Sequence, residues 1–224
     1  VAHLRRHVAV PAVPEDIDFV LLSHLHRDHA DGASLRALGP QVRVVAPAGS
    51  APTLRRLDVR PTHELAADDS VALSPQVTVR AVSAHHDGRR HPVGHPVAAL
   101  GYLVETPQQR IYFAGDTDLF PGMAALADPP LDVALLPIWG WGHTLGPGHM
   151  DPERAARAVA LLAPRIVVPI HWGTFLPIGT RHHWALVDPI DEFLKRMRGS
   201  DVRVAAMAPG GVLELDDSGT TQRG

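Results

Sequence analysis

The chain has 224 residues, 45% hydrophobic and 20% charged, with a net charge of −3. That balance suits one globular domain over residues 1–224 with its own core, and gives no basic footprint for nucleic acid. Cysteine is absent, which excludes a disulfide framework, a thiolate zinc site and a Cys nucleophile.

No apolar run reaches the ~18 residues of a membrane span. Val133 to Trp141 is among the longest, and Pro137 and Gly140 interrupt it. The opening VAHLRRHVAV carries charge without a continuous apolar core, so it does not read as a secretory signal.

In chain order, Asp18 to Ser23 is an apolar run that ends in a His-rich loop. Gly32 to Leu38 predicts a helix, Val42 to Ala46 a strand, and Pro52 to Leu57 a short helix. Val77 to Val82 (VTVRAV) alternates as a half-buried strand does. Ala98 to Glu105 and Ile111 to Ala114 predict two strands joined by the turn-like TPQQ. Val133 to Pro137 predicts a buried strand, and the Pro/Gly-rich stretch from Trp139 to Gly148 a loop.

The best-marked helix spans Asp151 to Leu162: Asp151 is a good N-cap, Pro152 fits the first position, and Pro164 closes it. Ile166 to Ile170 predicts a strand and Pro189 to Arg198 a helix. Val202 to Ala206 and Val212 to Leu215 predict final strands before a frayed tail from Asp216 to Gly224. Interleaved strands and helices with hairpin-like pairs imply a layered α/β fold with mixed sheets.

Histidine occurs 15 times, more often than Phe, Trp and Tyr combined, and Lys195 is the sole lysine among 21 basic residues. The arginine bias reads as genomic base composition. The histidines are patterned. His24, His26, Asp28 and His29 form H-x-H-x-D-H directly after an apolar strand. Imidazole nitrogens bind Zn²⁺ at ~2.0–2.1 Å and carboxylate oxygens at ~2.0–2.2 Å, so such crowding suits a shared cation. Three more strands deliver a His or Asp to their C-terminal ends: His85 and His86, then Asp116, then His171. That edge is where layered α/β proteins build sites.

The ordered set HLHRDH, a histidine, GDT and HWGTF resembles the metallo-β-lactamase fold superfamily of metal-dependent hydrolases. The resemblance implies a four-layer αββα sandwich. It also implies one metal held by His24, His26 and His86, a second held by Asp28, His29 and His171, and Asp116 bridging them. His85 is the alternative to His86. The segment SAHHDGRR is similar to the ascorbate-6-phosphate lactonase-like and N-acylphosphatidylethanolamine phospholipase D-like branch. An aspartate at the GDT position, Asp116, argues against β-lactam hydrolysis.

The implied chemistry is attack by a metal-bridging hydroxide on an ester, lactone or phosphodiester of a small molecule, with two divalent ions. Zinc is the first candidate, with Mn, Fe or Ni as alternatives. Asp28 is a candidate to orient the nucleophile or relay its proton. His149, in GPGHMDP, is a candidate to bind substrate or protonate a leaving group, against the plainer role of a local helix-start hydrogen bond. His143 is a lesser candidate, and Trp139 and Trp141 read as packing residues. His91, His95, His182 and His183 read as surface or loop residues, and Arg89 and Arg90 as solvated charges able to meet an anion.

The expected location is cytoplasmic. A mononuclear iron oxygenase on the same fold, and an inactive metal-binding remnant or sensor, are the competing readings. One departure from the superfamily pattern stands out. A single apolar strand precedes the first motif, and Val1 to Asp16 resembles the connection that follows strands not present, as in an N-terminally shortened chain.

Overall fold

Apolar alternation places most elements within a residue or two of where the structure has them. The computed structural model describes residues 4–10, 16–91, 93–140, 145–179 and 184–215. Within these, the chain begins β1 (Leu4–Arg6), β2 (Phe19–Leu21), α1 (Gly32–Ala37), β3 (Arg43–Pro47), α2 (Ala51–Arg55) and β4 (His63–Leu65). It continues β5 (Ser70–Ser74), β6 (Val77–Asp87), β7 (Ala98–Glu105), β8 (Arg110–Phe113), a 3-10 turn at Met123–Ala127, and β9 (Val133–Pro137). It ends with α3 (Pro152–Leu162), β10 (Ile166–Ile170), β11 (Phe175–Pro177), α4 (Trp184–Arg196) and β12 (Arg203–Val204).

Among the described residues the large sheet runs in the order β12-β10-β9-β8-β7-β6-β5, and a small sheet in the order β2-β3-β4. Period-2 alternation decides which layer each side chain joins. Leu100 and Tyr102 of β7 face the small sheet and pack with Val45 and Leu65, closing the apolar seam between the sheets. Leu103 points the other way, with Tyr112 and Ala134, onto α3 and α4. On the outer face of the small sheet, Val44 and Ala46 meet Leu35 of α1 and Leu54 of α2. The layers are thus helix, sheet, sheet, helix, the four-layer sandwich that the motifs imply.

The helix signals act as read. The Asp151 side chain accepts from the Arg154 amide, satisfying one of the free donors at the start of α3. Pro152 follows it in the first turn, where a missing N–H is harmless.

Four expectations need correction. β6 does not stop at Val82. It continues through the two histidines to Asp87, with a register shift against β7 between Ser83 and Asp87. Such an irregularity re-aims side chains without ending the strand. Leu4–Arg6 is not bare connection: it pairs antiparallel with β11. α4 begins at Trp184, with Pro189 inside it rather than at its start. Val212 to Leu215 forms no strand, although Leu213 and Leu215 still pack against Val133 and Ile166. β4 and β11, at three residues each, are too brief to show a period, and β5 (SVALS) also stands outside the expected elements. The Trp141, His143, His182 and His183 readings and the tail from Asp216 lie outside the described residues.

Candidate metal centre

β8, β9 and β10 run parallel, and β6 runs in the same sense because β7 is antiparallel to both β6 and β8. Their C-terminal ends therefore share one edge of the large sheet. The segment after β2 reaches the same edge, tied by Leu100 N–H donating to Ser23 O at 2.9 Å and Leu25 N–H donating to Gly88 O at 3.0 Å. Topology alone thus gathers His24 to His29, His86, Asp116 and His171.

The gathered atoms are close. His26 Nδ1 and His86 Nε2 are 3.2 Å apart, and His29 Nε2 and His171 Nε2 are 3.3 Å apart. Asp116 sits among them, with Oδ2 3.3 Å from His29 Nε2 and Oδ1 3.3 Å from His171 Nε2. Asp28 Oδ2 lies 3.6 Å from His171 Nε2 and 3.7 Å from His29 Nε2.

Backbone carbonyls set the tautomers. His86 Nδ1 donates to Gly148 O at 2.9 Å, and His171 Nδ1 donates to Trp139 O at 2.8 Å. A carbonyl can only accept, so Nδ1 carries the proton and Nε2 is the atom left for the cluster. His24 Nδ1 meets Ser23 Oγ at 3.0 Å. Such outer partners typically orient metal-binding imidazoles. His171 has a positive φ of 62°, a conformation side chains rarely adopt, as happens at functional sites.

Burial pushes the His24 imidazole well below its ordinary range, with the neighbouring His29 adding to the effect. Burial also lowers His26, and takes His86 down to about 4 despite the Asp116 carboxylate. For His171 burial acts downward too, but the Asp116 and Asp28 carboxylates outweigh it and raise the ring to about 9. Burial alone would raise the Asp116 carboxyl, yet His171 and His29 hold it well below the usual carboxylate range.

The donor set fits divalent cations. Ligands ~2.0–2.1 Å from a tetrahedral ion stand ~3.3 Å from one another, which is the spacing the His–His and His–Asp pairs already have. His24 Nε2 is buried without a hydrogen-bond partner among the described residues, a costly arrangement for a polar atom unless a cation takes it. The compact groups are His24, His26 and His86, then His24, His29 and Asp116, then Asp28, His29 and His171. A fourth group joins His86, Asp116 and His149. Together they offer ligands for one or two ions.

The structure brings His86 into this cluster and leaves His85 exposed on the other side of β6. The His85 amide donates to Thr117 Oγ1 at 2.8 Å, and its side chain lines a separate hollow with Phe120. His149 Nε2 lies 3.8 Å from Asp116 Oδ2, and its ring stands 4.6 Å from that of His86. Arg90 donates to the carbonyls of Leu25 and Ala30, while Arg89 pairs with Asp87. Ser23 and the Gly148 and Trp139 carbonyls went unread in the sequence. Ser23 had a signal, its place directly before the first motif; a carbonyl has none.

Fold and site together define a metal-binding protein of the β-lactamase type. A family profile described as "Beta-lactamase superfamily domain" matches residues 1–172, and the chain belongs to the metallo-β-lactamase superfamily of metal-dependent hydrolases. It is 34% identical over 220 residues to a protein named UPF0173 metal-dependent hydrolase from Thermococcus onnurineus, covering 92% of this chain and 87% of that one. It is 35% identical over 215 residues to the UPF0173 metal-dependent hydrolase TK0141 of Thermococcus kodakarensis, covering 90% and 84%. Among solved structures it is similar to Igni18, described as a metallo hydrolase, from Ignicoccus hospitalis. The TM-score is 0.65 at 25% identity, covering 87% of this chain and 77% of that one. No helix among the described residues is long and apolar enough to cross a membrane.

Proposed function

We propose that the chain is a dinuclear metal-dependent hydrolase, with zinc as the first candidate, acting on an ester, lactone or phosphodiester of a small molecule. The observation that carries this reading is the convergence of His24, His26, His29, His86 and His171 around the buried Asp116 carboxylate. His24, His26 and His86 would hold one ion, Asp28, His29 and His171 the other, with Asp116 between them. Two divalent ions so held lower the pKa of water and polarise a carbonyl or phosphoryl oxygen.

The chain's own residues do the rest by position. The Gly148 and Trp139 carbonyls keep the Nε2 atoms of His86 and His171 turned inward. Asp28 lines the open cavity beside the cluster, where its carboxylate can accept a proton from the attacking water. His149 is held by its Nδ1 to Gly146 O at 3.3 Å, leaving Nε2 to bind substrate or to pass a proton to the leaving group. The carboxylate at position 116 supports the lactonase- and phosphodiesterase-like side of the superfamily over β-lactam chemistry.

The test is metal content per chain by inductively coupled plasma mass spectrometry after gel filtration, followed by a panel of aryl esters, lactones and phosphodiesters. About two equivalents, with turnover lost in His26→Ala and Asp28→Ala, supports the reading. A folded chain without metal, or metal-loaded protein inactive on all three classes, overturns it.

A further inference from the structure

A cavity of about 810 Å³ opens beside the cluster, with His26 and Asp28 in its wall. Asp31, Ser34 and His91 also line it, the Asp31 carboxylate being taken up by the Ser34 amide and hydroxyl, and the rest of the lining has two main characters. Leu4, Val10, Phe175 and Ile178 form an apolar side, on which Val10 and Ile178 are 71% and 67% exposed. Large apolar side chains left this open around a concave surface mark a ligand groove more often than a random surface.

The second character is cationic. Arg6, Arg27, Arg89 and Arg90 all line the cavity. Asp87 neutralises Arg89, and Arg90 is spent on the Leu25 and Ala30 carbonyls. Arg27 and Arg6 have no ion-pair partner among the described residues; Arg6 lies over the Phe175 ring at 4.7 Å. Guanidinium groups bind carboxylate and phosphate through paired N–H donors. Arg6 reaches the wall only because β1 pairs with β11, which also supplies Phe175.

Resting on the hydrolase reading above, we propose that the substrate is an anionic amphiphile. Its apolar body lies along Leu4, Phe175 and Ile178, and its carboxylate or phosphate is held by Arg27 and Arg6. The bond to be cleaved then faces His26 and Asp28 at the cluster end of the same cavity.

The probe pair is 4-phenylbutyrate and 4-phenylbutan-1-ol, alike in length and differing in charge. Both are titrated calorimetrically into chelator-treated, metal-free chain, so that no cation can hold the carboxylate. The expected result is at least ~10-fold tighter binding of the anion, reduced to near parity in Arg27→Gln with Arg6→Gln. Phe175→Ala weakens both probes alike. Equal binding of the two probes by the unaltered chain overturns the proposal, as does a preference that survives in folded Arg27→Gln and Arg6→Gln single and double variants. Methyl phosphate and acetate as competitors separate the two anion types, since the one matching the natural headgroup displaces 4-phenylbutyrate better. Because binding is read without metal, its failure leaves the metal-content test standing, and failure of that test leaves this one readable.

Discussion

His86 Nε2 lies 3.2 Å from His26 Nδ1, although 60 residues separate them in the chain. Among the described residues neither atom bonds a carbonyl, and the proton of His86 is already committed, through Nδ1, to Gly148 O. Two imidazole nitrogens this close, in a pocket also holding His24, are arranged for a common acceptor of lone pairs. The fold supplies that arrangement through one strand irregularity and one loop carbonyl.

Ser23 should matter through His24. Its hydroxyl meets His24 Nδ1 at 3.0 Å, and both residues are buried. Ser23→Ala is expected to weaken cation affinity ~10–100-fold while the far-ultraviolet spectrum stays unchanged. Competition against a chromophoric chelator measures it, and unaltered affinity would remove Ser23 from any orienting role.

Gly148 is intolerant of a side chain for two reasons. Its φ is +81°, and a Cβ there would stand 2.8 Å from His85 O and 3.1 Å from His86 Nδ1. Gly148→Ala is expected to cost about 1–2 kcal/mol in backbone strain and to lower the number of bound ions by displacing His86. Thermal melting and metal analysis on the same sample check both effects.

The two buried tyrosines should respond oppositely to loss of their hydroxyls. Tyr102 Oη donates to Leu22 O at 2.8 Å, just before the first motif, whereas Tyr112 Oη is buried with no partner among the described residues. Tyr102→Phe is expected to destabilise by about 1–3 kcal/mol, because Leu22 O is left unsatisfied. Tyr112→Phe is expected to be neutral or stabilising, because it removes a polar atom that burial penalises. Urea unfolding of both variants decides it.

Cation loading should release a proton from His171. Its metal-free imidazole is raised to about 9 through the Asp116 and Asp28 carboxylates, which outweigh burial, so it is protonated at pH 7.5. A cation needs the neutral ring, and binding therefore expels about one proton from this residue, fewer as the pH climbs past 9. His24, His26 and His86 are shifted down and already neutral at pH 7.5, so they release none. The same shift implies that the metal-free chain holds His171-linked stability below its unfolded pKa and loses it as pH rises through about 9. Calorimetry in buffers of different ionisation enthalpy counts the protons; no buffer dependence at pH 7.5 would contradict the assignment.

Much of this was legible before any coordinates. Val133–Pro137 and Ile166–Ile170 are short, continuous apolar runs bounded by breakers, and both are strands with the bounds read from sequence. The H-x-H-x-D-H cluster is local, so its spacing alone shows that its donors share one loop. β11 was not legible, because three residues carry no period; its partner β1 lies far away in sequence. The continuation of β6 past Val82 was hidden for a related reason. SAHHD has loop composition, and only pairing with β7 and an Asp118 bridge to His85 keep it extended.

The sequence by itself determined the chemical inventory: which imidazoles and carboxylates exist, in what order, and that apolar strands end at them. Tertiary structure alone put His86 rather than His85 among the clustered side chains, turned Nε2 of His86 and His171 inward, and set Arg6 and Phe175 side by side at the cavity. Side-chain type and hydrophobic period are written in the local sequence. Strand register and carbonyl direction are backbone properties, the same for every residue type, and are settled only when distant segments pair.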